Sequence, residues 1–541
     1  MSLHRLMNIS DAIPKRAHGN NLSMYSIALE GWRRGLTLKF YNAYHNGNLE
    51  IQYSLSDQEV VHKFQISKGD QVSEQAVEIC KDKDLTKKYL LEAGVTVPEG
   101  KSFTEEVNND TILAYALSIG FPIVIKPLDG KLGRGVMLNI QTKNELLEKL
   151  QHVRNELGFH AVIIEKYVTG DDYRVYVVDN RVIGAVKRIP AHVVGDGEST
   201  IESLINEKNK ERKNNPNLST RLITVDNHAL SILKEKGYTL DSVLTKGEYL
   251  FLKDTANISS GGEPVDVTNQ LTEEMKQQAI NSLKAIPGLP QAGVDMIVDE
   301  MKGTSYVIEV NTRAGIGSHL FPVTGEARNI PKAIIDYYFP NSMQTNEEQA
   351  NVNYLFDFKK VTDHLRAGKV NEVVIPTLNI EEKHITDAYE VYGDVQTTTY
   401  KNWVQKQALA NKISGYTIDL ENGNALIVAA GEENNLNTFK QVIQSGSAIM
   451  KNSTIMDLNP YTNGPIEYGF KINVQVQPKK RNKKQANKQG NQYLRQKKAE
   501  VEKERKKLET AKKKYSNLLN SKSWRYTEPM RKVIKKMKNR S

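Results

Sequence analysis

Cysteine is almost absent: the 541-residue chain has one, Cys80. A single thiol excludes an internal disulfide and any cysteine-rich metal site. Long apolar runs are also missing, and none approaches the ~20 residues that cross a bilayer. The opening stretch, MSLHRLMNISDAIPKRAHGN, lacks the apolar core and small-residue cleavage site of a secretory signal. These absences lead us to expect a cytoplasmic protein. With 39% hydrophobic and 26% charged residues, the chain has the composition of a folded globular protein.

The net charge of +10 is unevenly distributed. From Pro478 to the end there are 24 Lys/Arg and 5 Asp/Glu, leaving 50 basic and 59 acidic residues upstream. The folded body is therefore acidic, and the basicity belongs to an arm.

The chain reads as five parts with no internal repeat. Residues 1–75 mix short alternating runs with turn residues and read as a small α/β lead-in domain. From 76 to 340, helical stretches such as EQAVEICKDKDLTKKYLLEAG alternate with strands such as FPIVIKP and AVIIEKYV. DYRVYVVDNRVIGAVKR reads as a strand pair turning at Asp179-Asn180, and GVDMIVDEMKGTSYVIEVNTR as another turning at Lys302-Gly303. This is an α+β layout with antiparallel hairpins. Residues 341–386 read as a linker and connecting segment, 387–477 as a smaller α/β unit, and 478–541 as a basic disordered or helical tail.

The most informative stretch is FPIVIKPLDGKLGRGV, residues 121–136. Glycine-rich turns after strands hold anions because their N–H groups approach closely. The common phosphate loop puts its lysine after the glycines. Here Lys126 precedes them, so its ammonium is fixed at a strand end, and Asp129 to Gly135 would fold over the same phosphates as a lid. Further on, Asp295, Glu309 and Asn311 flank one hairpin, and Glu309 and Asn311, two apart, share a strand face. Two carboxylates and an amide oxygen are the hard ligands that Mg²⁺ takes when it also binds phosphate. Glu165 and Asp172 flank a short turn that suits a purine and a ribose.

These segments, in this order, resemble the ATP-grasp fold, and most closely the ATP-grasp half of cyanophycin synthetases. The resemblance runs through KDKDLTKKYLLEAGVTVPEG, FPIVIKPLDGKLGRGV, VIIEKYVTGDDYRVYVVDNRVIGAVKRIPAHVVGDGEST, LKDTANISSGGEPVDVT and GVDMIVDE…VIEVNTRAG. It implies two α+β subdomains gripping ATP. By that resemblance Lys83 and Lys126 would contact the nucleotide phosphates, and Asp129, Gly130, Gly133, Arg134 and Gly135 would belong to the mobile loop. Glu165 and the Val168 backbone would meet adenine, and Asp172 the ribose. Asp295, Glu309 and Asn311 would hold two Mg²⁺ ions, with Mn²⁺ as a substitute. Arg188, Arg174 and Arg313 would face the transferred phosphoryl group or the carboxylate substrate.

The implied activity is an ATP-dependent ligase joining a small-molecule or peptide carboxylate to an amine through an acyl phosphate. A thiol acceptor and a non-catalytic nucleotide-binding scaffold are the alternatives. Cyanophycin synthetases carry a second ATP-dependent ligase half, and no Gly-Lys-Thr/Ser loop follows residue 340 here. That favours a single ligation. His192 and His319 lie near the motifs, but solitary histidines are more often structural. EGWRRGLTLKF (30–40) reads either as a packed helix-to-strand join or as an acceptor site.

Residues 387–477 resemble acylphosphatase, a ferredoxin-like α/β sandwich. VYGDVQTTTYK, with Ala408 downstream, follows the family's phosphate loop, and GYTIDLENGNALIVAAG and FKQVIQSGS follow its later segments. The family's catalytic arginine falls on Lys401 and its asparagine on Asp419. Lysine lacks the guanidinium fork, and a carboxylate repels phosphate, so hydrolysis is not expected.

In the tail, Leu494, Val501, Leu508 and Tyr515 recur every seven residues beside a seam of Lys and Arg, which reads as a solvated basic helix. The terminal SKSWRYTEPMRKVIKKMKNR suits an anionic membrane surface or envelope polymer, peripheral to the inner face of the membrane. It also resembles terminal segments of enzymes that build surface glycopolymers. No base-reading motif points to nucleic acid.

Overall fold

The computed structural model describes residues 13–45, 47–128, 130, 134–344, 352–446, 454–458 and 464–472, with 506, 510 and 513 in the tail. Residues 474–541 are a separate unit, and the heptad positions and terminal aromatics lie outside the described residues.

The lead-in domain is built around the helix Leu22–Arg33. Ten of its twelve residues are buried, the mark of a helix covered on all sides. It lies on an antiparallel sheet in the order Glu372–Ile375, Thr37–His45, Asn48–Ser56, Val61–Gln65, Lys68–Gly69. A Cβ at Gly31 would come within 2.5 Å of Leu55, so only glycine lets helix and sheet approach this closely. The first strand of that order comes from the stretch read as a linker. Tyr354, Phe356 and Phe358, at alternate positions, also enter this core. Trp32 packs edge-on to Phe356 and Tyr468 and donates from Nε1 to the Pro376 carbonyl at 2.8 Å. EGWRRGLTLKF is thus a packed helix-to-strand join, with Arg34 held by Glu30 and Asp336 at 2.7 Å each.

Next come two sheets. One is ordered Gly100–Phe103, Val162–Lys166, Ile123–Pro127, Met137–Ile140, with all pairings antiparallel. The other is ordered Glu263–Asp266, Arg181–Ile189, Asp171–Val178, Gln291–Asp299, Thr304–Asn311, also antiparallel. Both expected hairpins are present. Asp179 and Asn180 have φ of 46° and 58°, the left-handed pair that a tight two-residue turn requires. The long helical stretch after residue 73 is two helices, Glu74–Lys81 and Lys83–Glu92. Asp82 divides them because its carboxylate accepts from the N–H groups of Asp84 and Leu85 and caps the second helix.

The last folded part is a sheet ordered Thr454–Asp457, His384–Tyr392, Ala425–Glu432, Ser414–Asp419, Phe470–Ile472, with helices Thr398–Ala410 and Glu433–Ser445. Its Ala388, Val428 and Ala430 are buried with the aromatic core of the lead-in domain. Among the described residues, no helix is long and apolar enough to cross a membrane.

Candidate active site

Lys126 and Glu165 sit on adjacent antiparallel strands, with Val124 opposite Glu165 and Lys126 opposite Ile163. They are therefore diagonal neighbours on one face. Their Nζ–Oε2 distance is 2.5 Å, and Lys87, from the helix Lys83–Glu92, reaches Oε1 at 2.9 Å. Burial pushes the Glu165 carboxyl up, but the two lysines outweigh it and hold the pKa below the usual value. Glu165, expected beside adenine, is thus engaged as the common counter-ion of two lysines. Lys83 donates to the Pro127 carbonyl at 3.1 Å, at the end of the strand that carries Lys126.

Of the glycine-rich loop, Asp129 and Gly133 lie outside the described residues. The Gly130 N–H donates to the Pro127 carbonyl at 3.4 Å, and the exposed Arg134 guanidinium lies over Phe159, 5.5 Å from the ring centre. Gly135 has φ of 76°, and a Cβ there would fall 2.7 Å from Pro127. Val168 is half-buried in the connection to the second sheet.

On that sheet, strand register gathers the charged residues on one face. Arg174 is opposite Asp295, Asp295 is opposite Glu309, and Asp172 is opposite Arg188. Asp172 and Arg174 are two apart on one strand, and Asn311 is two from Glu309, so all six share that face. Arg174 donates to Asp295 through Nε at 2.7 Å and Nη2 at 2.8 Å. Arg188 lies 3.2 Å from Asp295 and donates from Nε to Asp172 at 2.6 Å. Asn311 Nδ2 is 3.5 Å from Asp295, and Glu309 is exposed.

Burial raises the pKa of Asp295, but the two guanidiniums overcome this and hold it low, so the carboxylate stays anionic. Asp172 is pushed up to about 6 by burial, opposed by Arg188 and reinforced by the charge on Asp295. Asp172, expected at the ribose, is engaged by Arg188.

His319 is wholly buried against Tyr176, with ring centres 6.0 Å apart, and burial lowers its pKa to about 3. Its imidazole is neutral. His192 lies elsewhere, packed on Tyr249 and Phe251, with Lys208 donating to its carbonyl at 2.9 Å. Burial pushes the Cys80 thiol up to about 12, which makes it a poor nucleophile.

Arg313 lies two residues beyond the end of the strand Thr304–Asn311. It lines a cleft with Lys68, against the helix Glu74–Lys81. Sequence reasoning missed both Lys87 and Lys68. Lys87 had a signal, because it stands four residues from Lys83 on one helix face. Lys68 sits in a two-residue strand without a motif and had none.

In the last domain, the expected replacements meet. Lys401, buried at the start of the helix Thr398–Ala410, donates to Asp419 at 2.9 Å. The cation at the phosphate position carries its own counter-ion.

The RimK-like ATP-grasp domain matches residues 80–202, an ATP-grasp domain model matches 187–316, and acylphosphatase matches 388–472. The chain therefore carries an ATP-grasp domain followed by an acylphosphatase domain. Among curated proteins it is similar to the cyanophycin synthetase of Geminocystis herdmanii, 36% identical over 282 residues, covering 49% of this chain and 31% of that protein. It is also similar to the glutathione biosynthesis bifunctional protein GshAB of Clostridium perfringens, 32% identical over 331 residues, covering 59% of this chain and 41% of the relative. The chain thus spans about a third of the length of the curated relatives it matches first. A bifunctional glutathione synthetase structure from Pasteurella multocida aligns at 25% identity with a TM-score of 0.43, over 56% of this chain and 41% of that one.

Proposed function

We propose that the protein is an ATP- and Mg²⁺-dependent ligase that joins a carboxylate to an amine through an acyl phosphate. The observation that carries this reading is the sheet face on which Asp295 lies between Arg174 and Glu309, with Arg188, Asp172 and Asn311 around it.

The donor set fits the metal this chemistry uses. Asp295 is anionic, Glu309 is exposed, and Asn311 offers an amide oxygen, all hard ligands. Among the described residues, no group of three His, Cys, Asp or Glu forms a metal site alone. Two carboxylates and an amide match a cation whose remaining ligands are phosphate oxygens and water. Mg²⁺ held by Asp295, Glu309 and Asn311 would neutralise charge on the phosphates.

The chain's own residues account for the remaining requirements. Attack of a carboxylate on a phosphorus brings two anions together, so fixed cations must flank the path. Arg174 and Arg188 are such cations: always charged, planar, and anchored by Asp295 and Asp172. Lys126 and Lys83 are ammonium groups suited to the phosphate tail, and Glu165 keeps Lys126 in place. The amine then attacks the activated carbonyl, the C–N bond forms, the carbonyl–phosphate bond breaks, and inorganic phosphate leaves with the electron pair.

An ADP-release screen with Mg²⁺ across amino acids, short peptides and amino sugars, with mass spectrometry of the products, tests this. The proposal expects ADP only where a carboxylate and an amine are both present, and a product one water lighter than their sum. ADP formation indifferent to both would contradict it.

A further inference from the structure

Two lysines reach one carboxylate from different elements. Lys126, on the strand Ile123–Pro127, meets Glu165 Oε2 at 2.5 Å, and Lys87, on the helix Lys83–Glu92, meets Oε1 at 2.9 Å. The Glu165, Lys87 and Lys126 side chains are only 10%, 15% and 19% exposed. One cation would balance the anion. The second lysine is surplus to charge balance in this arrangement.

The frame around the carboxylate is fixed. Glu165 pairs in register with Gly100 of the edge strand Gly100–Phe103, and a Cβ at Gly100 would fall 2.4 Å from Glu165 Cγ. Glycine leaves that space to the glutamate side chain. The same edge strand holds the helix, because Ser102 donates to Asp84 in its first turn. Lys83 donates to the Pro127 carbonyl at 3.1 Å, which also ties the helix to the strand that carries Lys126. Lys87 lies one turn beyond Lys83 on the same helix face. The helix Asn109–Ile119 brings Tyr115 towards Glu165. Burial and the charges of Glu99 and Glu165 push its phenol up, so it stays uncharged.

In the ligase reading, Lys126 serves the nucleotide phosphates. An ammonium drawn to a phosphate gives up its hold on Glu165, and a buried carboxylate stripped of its partner is strongly destabilising. Lys87 removes that cost, because it already holds the other oxygen.

We propose that Lys87 is a positioning residue, which holds Glu165 when a nucleotide phosphate draws Lys126 away. This deepens the ligase reading and rests on it for the nucleotide. Without Lys87, Glu165 would have to take a proton as the phosphate claims Lys126. Nucleotide binding would then consume a proton and weaken as pH rises.

The test titrates the full chain calorimetrically with ATP and Mg²⁺, without carboxylate or amine substrates, in buffers of differing ionisation enthalpy. Parent and variant share the protonation of ATP itself, so their difference reports the protein. Lys87→Met should bind about tenfold or more weakly than the parent at about pH 8, and that deficit should shrink roughly tenfold by about pH 5.5. Its binding should also take up a proton that the parent does not. Lys87→Arg should recover most of the affinity. Adding Glu165→Gln to Lys87→Met should abolish the pH dependence of the deficit, because no carboxylate is left to protonate. Thermal melting at each pH checks folding, and Lys87→Gln serves if Lys87→Met does not fold. Equal affinity of the parent and the folded variant, or a deficit that does not change with pH, would overturn the inference while leaving the ligase reading standing. A parent chain that binds no ATP would overturn both.

Discussion

Arg174 and Asp295 face each other across adjacent strands and are joined by two hydrogen bonds of 2.7 and 2.8 Å. The pairing holds the carboxylate's pKa low inside a sheet face where burial alone would push it up. Its geometry follows from register, since a one-residue slip would turn one member of the pair to the opposite face.

Removing one partner should therefore be costly. Arg174→Ala leaves Asp295 with Arg188 alone, and losing one side of a buried pair costs about 3–5 kcal/mol. Thermal and urea melting of this variant should show the loss, with Arg174→Met no better, because the cost lies in the uncompensated carboxylate. A double change, Arg174→Met with Asp295→Leu, should recover much of the stability while abolishing ATP turnover.

Glu165 predicts an acid-sensitive element. Its folded pKa is depressed, so the folded state binds fewer protons than the unfolded state as pH falls. The stability it contributes is complete above its unfolded value of about 4.3 and is lost as pH drops through the lower, folded value. Melting temperature followed below pH 5 should fall more steeply for the parent than for Glu165→Gln. Parallel curves would contradict the assigned Lys126–Glu165–Lys87 cluster.

The acylphosphatase domain is expected to be hydrolytically silent. Lys401 spends its charge on Asp419, and neither supplies the arginine fork or the water-orienting amide that the family uses. The full chain should leave benzoyl phosphate at its background rate of hydrolysis, and Lys401→Ala should not change that. Hydrolysis above background that is lost in Lys401→Ala would refute this.

A structural role for this domain predicts a different result. Trp32 touches both Phe356 and Tyr468, so three distant segments meet at one indole. Trp32→Ala should cost about 3–5 kcal/mol. Hydrogen exchange should show faster opening at Tyr354–Leu355 and Ile466–Glu467, the parallel pair beside it.

Much of this architecture was legible in the sequence because its signals are local. Asp179-Asn180 and Lys302-Gly303 announce their hairpins, and Glu309 and Asn311 announce a shared face through spacing alone. What remained hidden depends on contacts between distant segments. The strand Glu372–Ile375 reads as part of a linker because its partner, Thr37–His45, lies over 300 residues away. The meeting of Arg313 with Lys68 in one cleft is likewise tertiary: a strand ends at Asn311, and the chain beyond it is drawn to Ser67. The division of the helical stretch at Asp82 was readable in principle, since aspartate is a preferred N-cap, but helix periodicity on either side masked it.

The central claim is ATP-dependent carboxylate activation at a site that uses Lys126. The most direct measurement is phosphate release by the parent chain and by Lys126→Ala, with Mg²⁺, ATP and the substrate pair found in the screen, using ¹⁸O in the carboxylate. The account predicts that the parent transfers ¹⁸O to the released phosphate and that Lys126→Ala releases essentially none. Phosphate without ¹⁸O from the parent, or undiminished release from Lys126→Ala, would contradict it.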